Sequence, residues 1–366
     1  MTDPVGQFAP GIYFGLAAEP YHADKAIGGT DANLLVRDPV EFQYRRLNPP
    51  EVETPALIRG QAQHARCLEG MHAFDRAFKI KPEKDDYADP ILDTMDELRD
   101  YAYGLGLDKL PRLKDDLIAL IRQKAPKVNI FTIWAEVMEI YERDQRTGIG
   151  WDVTEQIEQT AAWMQADPLL SEVMEEGSFT GGAPEVSLFW EEGENSVRCK
   201  ARLDYLYRHA IVDLKTFSPW RDQSVEAGAI AAIVAYRYDI QAAHYLRGWH
   251  AARELFLREG EKVVFTFDGV DRKEMLSLCE EGFSLTGDPN WIWVFLKAIG
   301  APQPIVLEWR REQSPLAFEN AEREVVDALD RYRKLRTEFG NDKAWPPRHA
   351  AVKLDDGMWP PWFGRR

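Results

Sequence analysis

The stretch that decides the fold of this chain reads Asp204-Tyr-Leu-Tyr-Arg-His-Ala-Ile-Val-Asp213-Leu-Lys215-Thr216. The pattern predicts two strands, Val197–Leu206 and Ala210–Phe217, joined by a tight turn. Side chains of a strand alternate between its two faces, so Asp213 and Lys215 share one face with Ile211. The residues between them are apolar and are expected to face the core. The stretch is therefore interpreted as a hairpin that carries ionisable side chains on one face and apolar side chains on the other.

This hairpin brings the carboxylates of Asp204 and Asp213 close together. Two such charges about 4 Å apart repel by roughly 4 kcal/mol at an effective dielectric of ~20. A divalent cation relieves this repulsion, and a lysine such as Lys215 can orient or activate a metal-bound water. The pattern indicates a metal-dependent phosphodiesterase. A surface salt bridge on an edge hairpin explains the same residues, and the hairpin alone does not decide between the two.

A second Asp-x-Lys pattern, at Asp271 and Lys273, follows another apolar strand. Its nearest upstream acid, Asp268, is only three residues away, and Lys273 begins a predicted helix. No hairpin separates these acids. We therefore expect Asp271 and Lys273 to be solvated charges at a helix start.

The composition limits the class of protein. The chain has 366 residues, of which 45% are hydrophobic and 11% aromatic, enough for a sizeable core. Its formal charge of −16 argues against broad, non-specific coating of nucleic acid. The three cysteines are far apart in sequence, which excludes a zinc ribbon and a four-cysteine cluster. No signal peptide or membrane-length apolar run is found, so a cytoplasmic protein without membrane contact is expected.

The remaining pattern predicts an α/β fold with a central mixed sheet flanked by helices. Further strands are expected at 185–191, 291–298 and 304–310, and helices at 56–74, 236–257 and after Ser314-Pro315. Residues 85–178 are interpreted as a largely helical elaboration, and residues 1–366 as a single domain.

Four more polar residues are candidate neighbours of the hairpin. Glu185 stands at the head of the preceding strand, where a third carboxylate can reach the same site. Gln241 and Tyr245 are four residues apart on a helix and point the same way. His64 lies on a mostly apolar helix. Taken alone, the Gln/Tyr pair is typical of a helix surface or core edge, and the histidine of a hydrogen-bonded core residue.

In order along the chain, these motifs resemble a known family. The motifs are Gly11-Ile-Tyr, Tyr21-His22, Gly60-x-x-x-His64, Cys67-Leu-Glu69, Glu185 before Trp190, Cys199-Lys-Ala-Arg202-Leu-Asp204, Asp213-Leu-Lys215-Thr216 and Tyr236-Arg-Tyr238-x-x-Gln241-x-x-x-Tyr245. The chain is similar in them to the exodeoxyribonuclease VIII (RecE-type) nuclease domain of the PD-(D/E)xK superfamily. The resemblance runs from Gly11 to the tryptophan–proline tail.

The resemblance implies a role for each candidate. The metal ligands would be Asp204, Asp213, the carbonyl of Leu214, and His64. Lys215 would position the attacking water, and Glu185 would help to hold a second metal or that water. Gln241 and Tyr245 would brace the site or contact phosphate. The cation would be Mg²⁺, with Mn²⁺ able to substitute.

The family further implies exonuclease digestion from the ends of linear double-stranded DNA, 5′ to 3′, which exposes single strands for recombination. A single-strand annealing protein would be the partner, the enzyme would form a homo-oligomer, and it would act in the cytoplasm of a bacterial host or be phage-encoded. The alternatives are an endonuclease or single-strand-specific nuclease on the same core, or a catalytically inactive DNA-end-binding protein. The helical elaboration and residues 259–290 are larger than the family requires.

Overall fold

The computed structural model describes residues 7–49, 54–83, 92, 94–128, 131–193, 197–218, 223–267, 269–298 and 300–347, and of residues 131–136 the backbone only. The strands are β1 (Gly11–Phe14), β2 (Phe78–Ile80), β3 (Thr147–Ile149), β4 (Met174–Glu175), β5 (Ser178–Phe179), β6 (Ala183–Glu192), β7 (Val197–Leu206), β8 (Ala210–Phe217), β9 (Val264–Thr266), β10 (Asn290–Lys297) and β11 (Pro304–Trp309). The helices are α1 (Ala18–Ala23), α2 (Gly29–Arg37), α3 (Pro39–Leu47), α4 (Pro55–His64), α5 (Met71–Ala77), α6 (Met95–Gly104), α7 (Lys114–Lys124), α8 (Phe131–Arg143), α9 (Trp151–Ala166), α10 (Val225–Tyr236), α11 (Tyr238–Glu259), α12 (Arg272–Ser284) and α13 (Pro315–Phe339).

A mixed seven-stranded sheet organises the molecule, with the strand order β11-β10-β8-β7-β6-β1-β9. The middle of the sheet, from β8 through β7 and β6 to β1, is antiparallel. β10 runs parallel to β8, and β9 parallel to β1. The α/β fold class predicted from the sequence is confirmed.

The two faces of the sheet carry different cores. The larger core contains Ile211 of β8 with apolar residues of α2, α11 and α13. On the opposite face, Val212 and Leu214 pack with Ala161 and Met164 of α9. The alternation predicted for β8 therefore separates its side chains between two cores, and Asp213 and Lys215 lie on the same side as α11.

Three predicted helices differ from those observed. The helix expected at 56–74 is interrupted after α4 by a π-helical turn, Ala65–Glu69, before α5 begins. The sequence also predicts a helix from Thr154 to Met174. The observed helix ends at Ala166, before Asp167-Pro168, because the residue before a proline is disfavoured in the α conformation. The helix expected to begin at Tyr236 is divided by Arg237, whose φ of 55° is left-handed.

The sequence predicts Thr30 or Asp31 as the N-cap of α2, but the observed cap lies two or three residues earlier. Gly28 is the N-cap, and the Asp31 side chain accepts a hydrogen bond from the Gly28 backbone N–H at 3.0 Å. The carboxylate thus acts from the third helical position instead of the cap itself. At the other end of the chain, the aromatic residues of the tail suggest that it packs against the protein. Trp345 is buried accordingly, while Trp359 and Trp362 lie outside the described residues.

The hairpin α6–α7 has a small core of its own. Leu98, Ala102, Leu117 and Ile121 are fully buried against one another. The hairpin lies between β2 and β3, which pair in parallel and close the insertion at its base. α9, by contrast, packs on α4 and on β11 of the main body. In the parts of the chain that the structure describes, no helix is long and apolar enough to cross a membrane.

Candidate metal centre

The strands β7 and β8 diverge where the two aspartates lie. Near the turn they pair through Tyr205 with Val212 and Leu206 with Ile211. Beyond this point the Asp204 side chain replaces the backbone as the acceptor, because its Oδ2 accepts a hydrogen bond from the Leu214 N–H at 2.7 Å. Both aspartates are buried, Asp213 to 1% exposure. The hairpin therefore holds two carboxylates inside the protein, and the alternative of a surface salt bridge does not describe them.

Lys215 lies against Asp213. Its Nζ is 2.6 Å from Asp213 Oδ2 and 5.1 Å from the centre of the Tyr238 ring. Burial alone would lower the pKa of Lys215, but the charges of Asp213 and Asp204 outweigh it and raise that pKa. The lysine is thus held as a cation within the acidic site.

His64 enters from the end of α4, 150 residues away in sequence from Leu214. Its Nε2 is 3.3 Å from the Leu214 carbonyl oxygen and 3.8 Å from Asp204 Oδ2. Its Nδ1 is 3.6 Å from Glu185 Oε1. One ligand atom from each of His64, Glu185 and Asp204 lies within 4.8 Å of the others. Three elements thus bring their donors to one point.

Glu185 is placed by a local irregularity of β6. The ladder with β7 pairs Pro184 with Tyr205 and Val186 with Leu203, and between them Glu185 has a left-handed φ of 50°. Positive φ in a residue other than glycine is strained and recurs at functional sites. Its Oε2 is 3.3 Å from Arg202 Nε. The strained residue is therefore the one whose carboxylate faces the histidine.

The protonation of the cluster reflects its crowded negative charge. Burial by itself lowers the pKa of His64, but Asp204 and Glu185 outweigh it and raise that pKa to about 9. Burial raises the pKa of Asp204 to about 6, with His64 opposing and Asp213 reinforcing the change. Burial also opposes ionisation of Glu185, but the hydrogen bond and charge of His64 lower its pKa. The carboxylates of Asp204 and Glu185 thus favour a positive charge beside them, either a protonated His64 or a bound cation.

Gln241 and Tyr245 reach the site from α11. Gln241 Nε2 donates to Asp213 Oδ1 at 3.4 Å. Tyr245 is buried, and burial together with the charges of Asp204 and Asp213 raises its pKa. Gly29 of α2 makes room for this pair, since a Cβ there would lie 2.7 Å from Tyr245 Cε1 and 3.0 Å from Gln241 Cγ. All the candidates that the sequence singled out therefore lie at or beside one centre.

The donor set fits a divalent cation that prefers oxygen. His64, Glu185 and Asp204 would hold it, with the Leu214 carbonyl beside them. Carboxylate and carbonyl oxygens suit Mg²⁺ and Mn²⁺, and the imidazole nitrogen favours the latter. Asp213, which the resemblance implies as a further ligand, has its Oδ2 2.6 Å from Lys215 Nζ, and Glu185 Oε1 is 3.6 Å from His64 Nδ1.

Two supporting groups were missed by the sequence analysis. Arg202 anchors Glu185 and also donates to Ser187 Oγ at 3.1 Å. Arg66, in the π-helical turn after His64, forms two hydrogen bonds with Glu158 of α9, at 2.7 and 2.9 Å. A basic residue two positions before Asp204 on the same strand was a usable signal for Arg202. Nothing in the local sequence links Arg66 with Glu158.

The second Asp-x-Lys pattern lies elsewhere. Asp271 is the N-cap of α12 and accepts hydrogen bonds from the N–H groups of Lys273 and Glu274, at 2.8 and 3.3 Å. Lys273 is exposed. Both are helix-start residues as predicted, while Asp268 lies outside the described residues.

Comparisons with protein families and with solved structures both give matches. Residues 117–278, slightly less than half of the chain, match the family described as PDDEXK-like domain of unknown function (DUF3799). A solved structure from Eubacterium rectale, described as a "putative exonuclease", is 12% identical; the alignment covers 93% of this chain and 96% of that one, with a TM-score of 0.45. No curated protein matches the chain significantly. Over residues 117–278 this chain is similar to PDDEXK-like domains, and its α/β fold is that of a PD-(D/E)xK nuclease core.

Proposed function

We propose that this protein is a divalent-metal-dependent deoxyribonuclease of the exodeoxyribonuclease VIII type, which digests linear double-stranded DNA from its ends, 5′ to 3′. The observation that carries the proposal is the convergence of His64, Glu185, Asp204, Asp213 and Lys215 in one partly buried acidic centre. A scaffold protein has no need of a lysine held 2.6 Å from a buried aspartate. The match to PDDEXK-like domains supports the nuclease class.

The chain's own residues have distinct tasks in this proposal. His64, Glu185 and Asp204 would hold the cation, with Asp213 and the Leu214 carbonyl as further ligands. The cation would supply Lewis-acid assistance and charge neutralisation. Lys215, kept charged by Asp213, orients the attacking water and stabilises negative charge as it develops on the phosphate. Gln241 fixes Asp213 and, with Tyr245, braces the wall of the site. Arg202 holds Glu185 in its strained position.

Digestion of end-labelled linear duplex, compared with covalently closed circular DNA in Mg²⁺, tests the proposal. The expected result is rapid loss of the linear duplex and survival of the circle. Comparable nicking of closed circles would favour an endonuclease, and cleavage of single strands alone would favour a single-strand-specific enzyme. Binding of duplex ends without hydrolysis in Mg²⁺ or Mn²⁺ would favour the catalytically inactive end-binding protein.

Three wider aspects belong to the same proposal. The exposed single strand would pass to a single-strand annealing protein during recombination of bacterial or phage DNA. A homo-oligomer would allow processive digestion by surrounding the strand. The reaction would take place in the cytoplasm, and residues 85–178 would be an elaboration inside a single domain that spans residues 1–366.

A further inference from the structure

Two kinds of helical glycine occur in the described parts of the chain. A Cβ at Gly29, Gly248 or Gly282 would lie 2.7, 2.7 or 3.0 Å from a neighbouring atom, so packing explains these glycines. A Cβ at Gly60 or Gly104 would meet nothing within 4 Å. Gly60 is inside α4, where glycine is among the least favourable residues, and its φ is not left-handed. Neither packing nor backbone conformation accounts for it.

The position of Gly60 supplies a reason. It lies four residues before His64, so both residues occupy the same face of α4, one turn apart. The helix is fixed on either side of this face. Thr216 donates to Gln63 Oε1 at 3.0 Å, and Arg59 donates to the Ala298 carbonyl at 2.6 Å. Gly60 therefore presents bare backbone to open space on the approach to the candidate metal centre.

We propose that a nucleic-acid strand passes directly over Gly60, with its sugar–phosphate backbone closer to α4 than any side chain would allow. Glycine is the residue that permits such close approach of the protein backbone to a ligand. A polymer needs this clearance because it continues beyond the phosphate being cleaved, whereas a metal ion or a single phosphate group does not. The inference rests on the proposed nuclease function and specifies the path of its substrate.

Substitution of Gly60 tests this path because it separates stability from activity. Gly60→Ala is expected to raise the melting temperature, since alanine favours the helix and meets no neighbour, yet to lower kcat/KM on duplex DNA about tenfold. Gly60→Leu is expected to lower it at least 100-fold. Neither change should alter Mn²⁺ affinity measured by isothermal titration.

Gly104 provides the matched control, because it is also helical with open space around its Cβ but lies in the separate α6–α7 hairpin. Gly104→Ala and Gly104→Leu are expected to leave DNA cleavage unchanged. If the wild-type protein cleaves DNA and both Gly60 variants cleave it equally well, the inference fails while the proposed function stands. If the wild-type protein cleaves no nucleic acid, the proposed function itself fails. Weakened Mn²⁺ binding in Gly60→Ala would also overturn the inference, because it would place the effect in the metal centre.

Discussion

At the scale of single residues, the candidate site consists of charges that need one another. Asp213 is 1% exposed, and its partner is the ammonium group of Lys215, 2.6 Å away on a side chain that is 13% exposed. Removing one partner of a buried pair leaves the other charge uncompensated, which costs more than the pair itself contributes. Loss of activity in variants of these residues must therefore be separated from loss of fold.

Asp213→Asn and Lys215→Ala are each expected to reduce Mg²⁺-dependent DNA hydrolysis by at least about 100-fold, the magnitude typical of a lost transition-state contact. Asp213→Asn keeps the shape of the side chain but not its charge. Initial rates on linear duplex, with circular dichroism to verify folding, measure the effect. Lys273→Ala, at the exposed second Asp-x-Lys pattern, should retain the wild-type rate. Near-normal rates in both folded site variants would remove these residues from the catalytic machinery.

His64→Ala distinguishes a ligand from a core histidine. If His64 binds the metal, the variant should lose about 10- to 100-fold in Mn²⁺ affinity, as for other groups that support a metal site. Activity should recover in part at high Mn²⁺. Isothermal titration of Mn²⁺, beside a melting curve, decides the question. Unchanged affinity together with a lowered melting temperature would show that His64 is a structural residue.

At the scale of elements, segments of irregular backbone determine where the regular helices lie around the site. The π-helical turn Ala65–Glu69 follows His64 directly and is tied to α9 by Arg66 and Glu158. π-helical turns are rare and often occur at functional sites. α11 is tied to the sheet in a different way, because His244 Nε2 is 3.2 Å from the Ile27 carbonyl oxygen and 3.1 Å from that of Lys200. The burial of His244 predicts a pH effect on stability.

Burial lowers the pKa of His244 to about 4, whereas an unfolded chain titrates histidine near 6.5. The folded state therefore binds the proton less readily than the unfolded state. Its contribution to stability is complete above pH 6.5 and is lost as the pH falls towards 4. Between pH 7 and pH 5 this histidine alone should remove about 2 kcal/mol from the free energy of unfolding.

Urea unfolding of the wild-type protein and His244→Gln, from pH 7.5 to pH 5, measures this contribution. Glutamine can donate to the same carbonyls but does not titrate, so other ionisable groups cancel in the comparison. The stability advantage of the wild-type protein should shrink as the pH falls. Parallel curves for the two proteins would refute the assignment.

At the scale of the whole molecule, the catalytic candidates and the α6–α7 hairpin are separate. Every candidate site residue comes from α4, β6, β7, β8 or α11, all of which pack around the seven-stranded sheet. The hairpin has its own core and lies beyond the β2–β3 closure. Because its core is separate, we expect that the hairpin can be removed without destabilising the main fold.

Replacement of residues 94–128 by a short glycine–serine linker should leave the main cooperative unfolding transition at its wild-type temperature and retain cleavage of a short linear duplex. Differential scanning calorimetry and an end-label assay measure the two properties. Leu203→Ala, in the core beneath the site, serves as the destabilised reference, with an expected loss of about 2–5 kcal/mol. A comparable loss in the deletion variant would mean that the hairpin is part of the main fold.

The amino-acid sequence by itself determined the local features. The bounds of β7 and β8, the division of β8 between two cores and the helix-start role of Asp271 all follow from alternation and capping over a few residues. These patterns suffice because neighbouring residues along a strand or helix have fixed relative directions. The α/β class follows from the same local periodicities.

Only the tertiary structure decided how the candidate metal ligands come together. Bringing His64 to the Leu214 carbonyl, 150 residues away, depends on the packing of α4 as a whole. The left-handed backbone at Glu185, the pairing of Asp213 with Lys215 and the Arg66–Glu158 contact depend equally on surroundings that no short stretch contains. A sequence pattern fixes which face a side chain occupies, but only the complete set of packed elements fixes its distance to a group on another element.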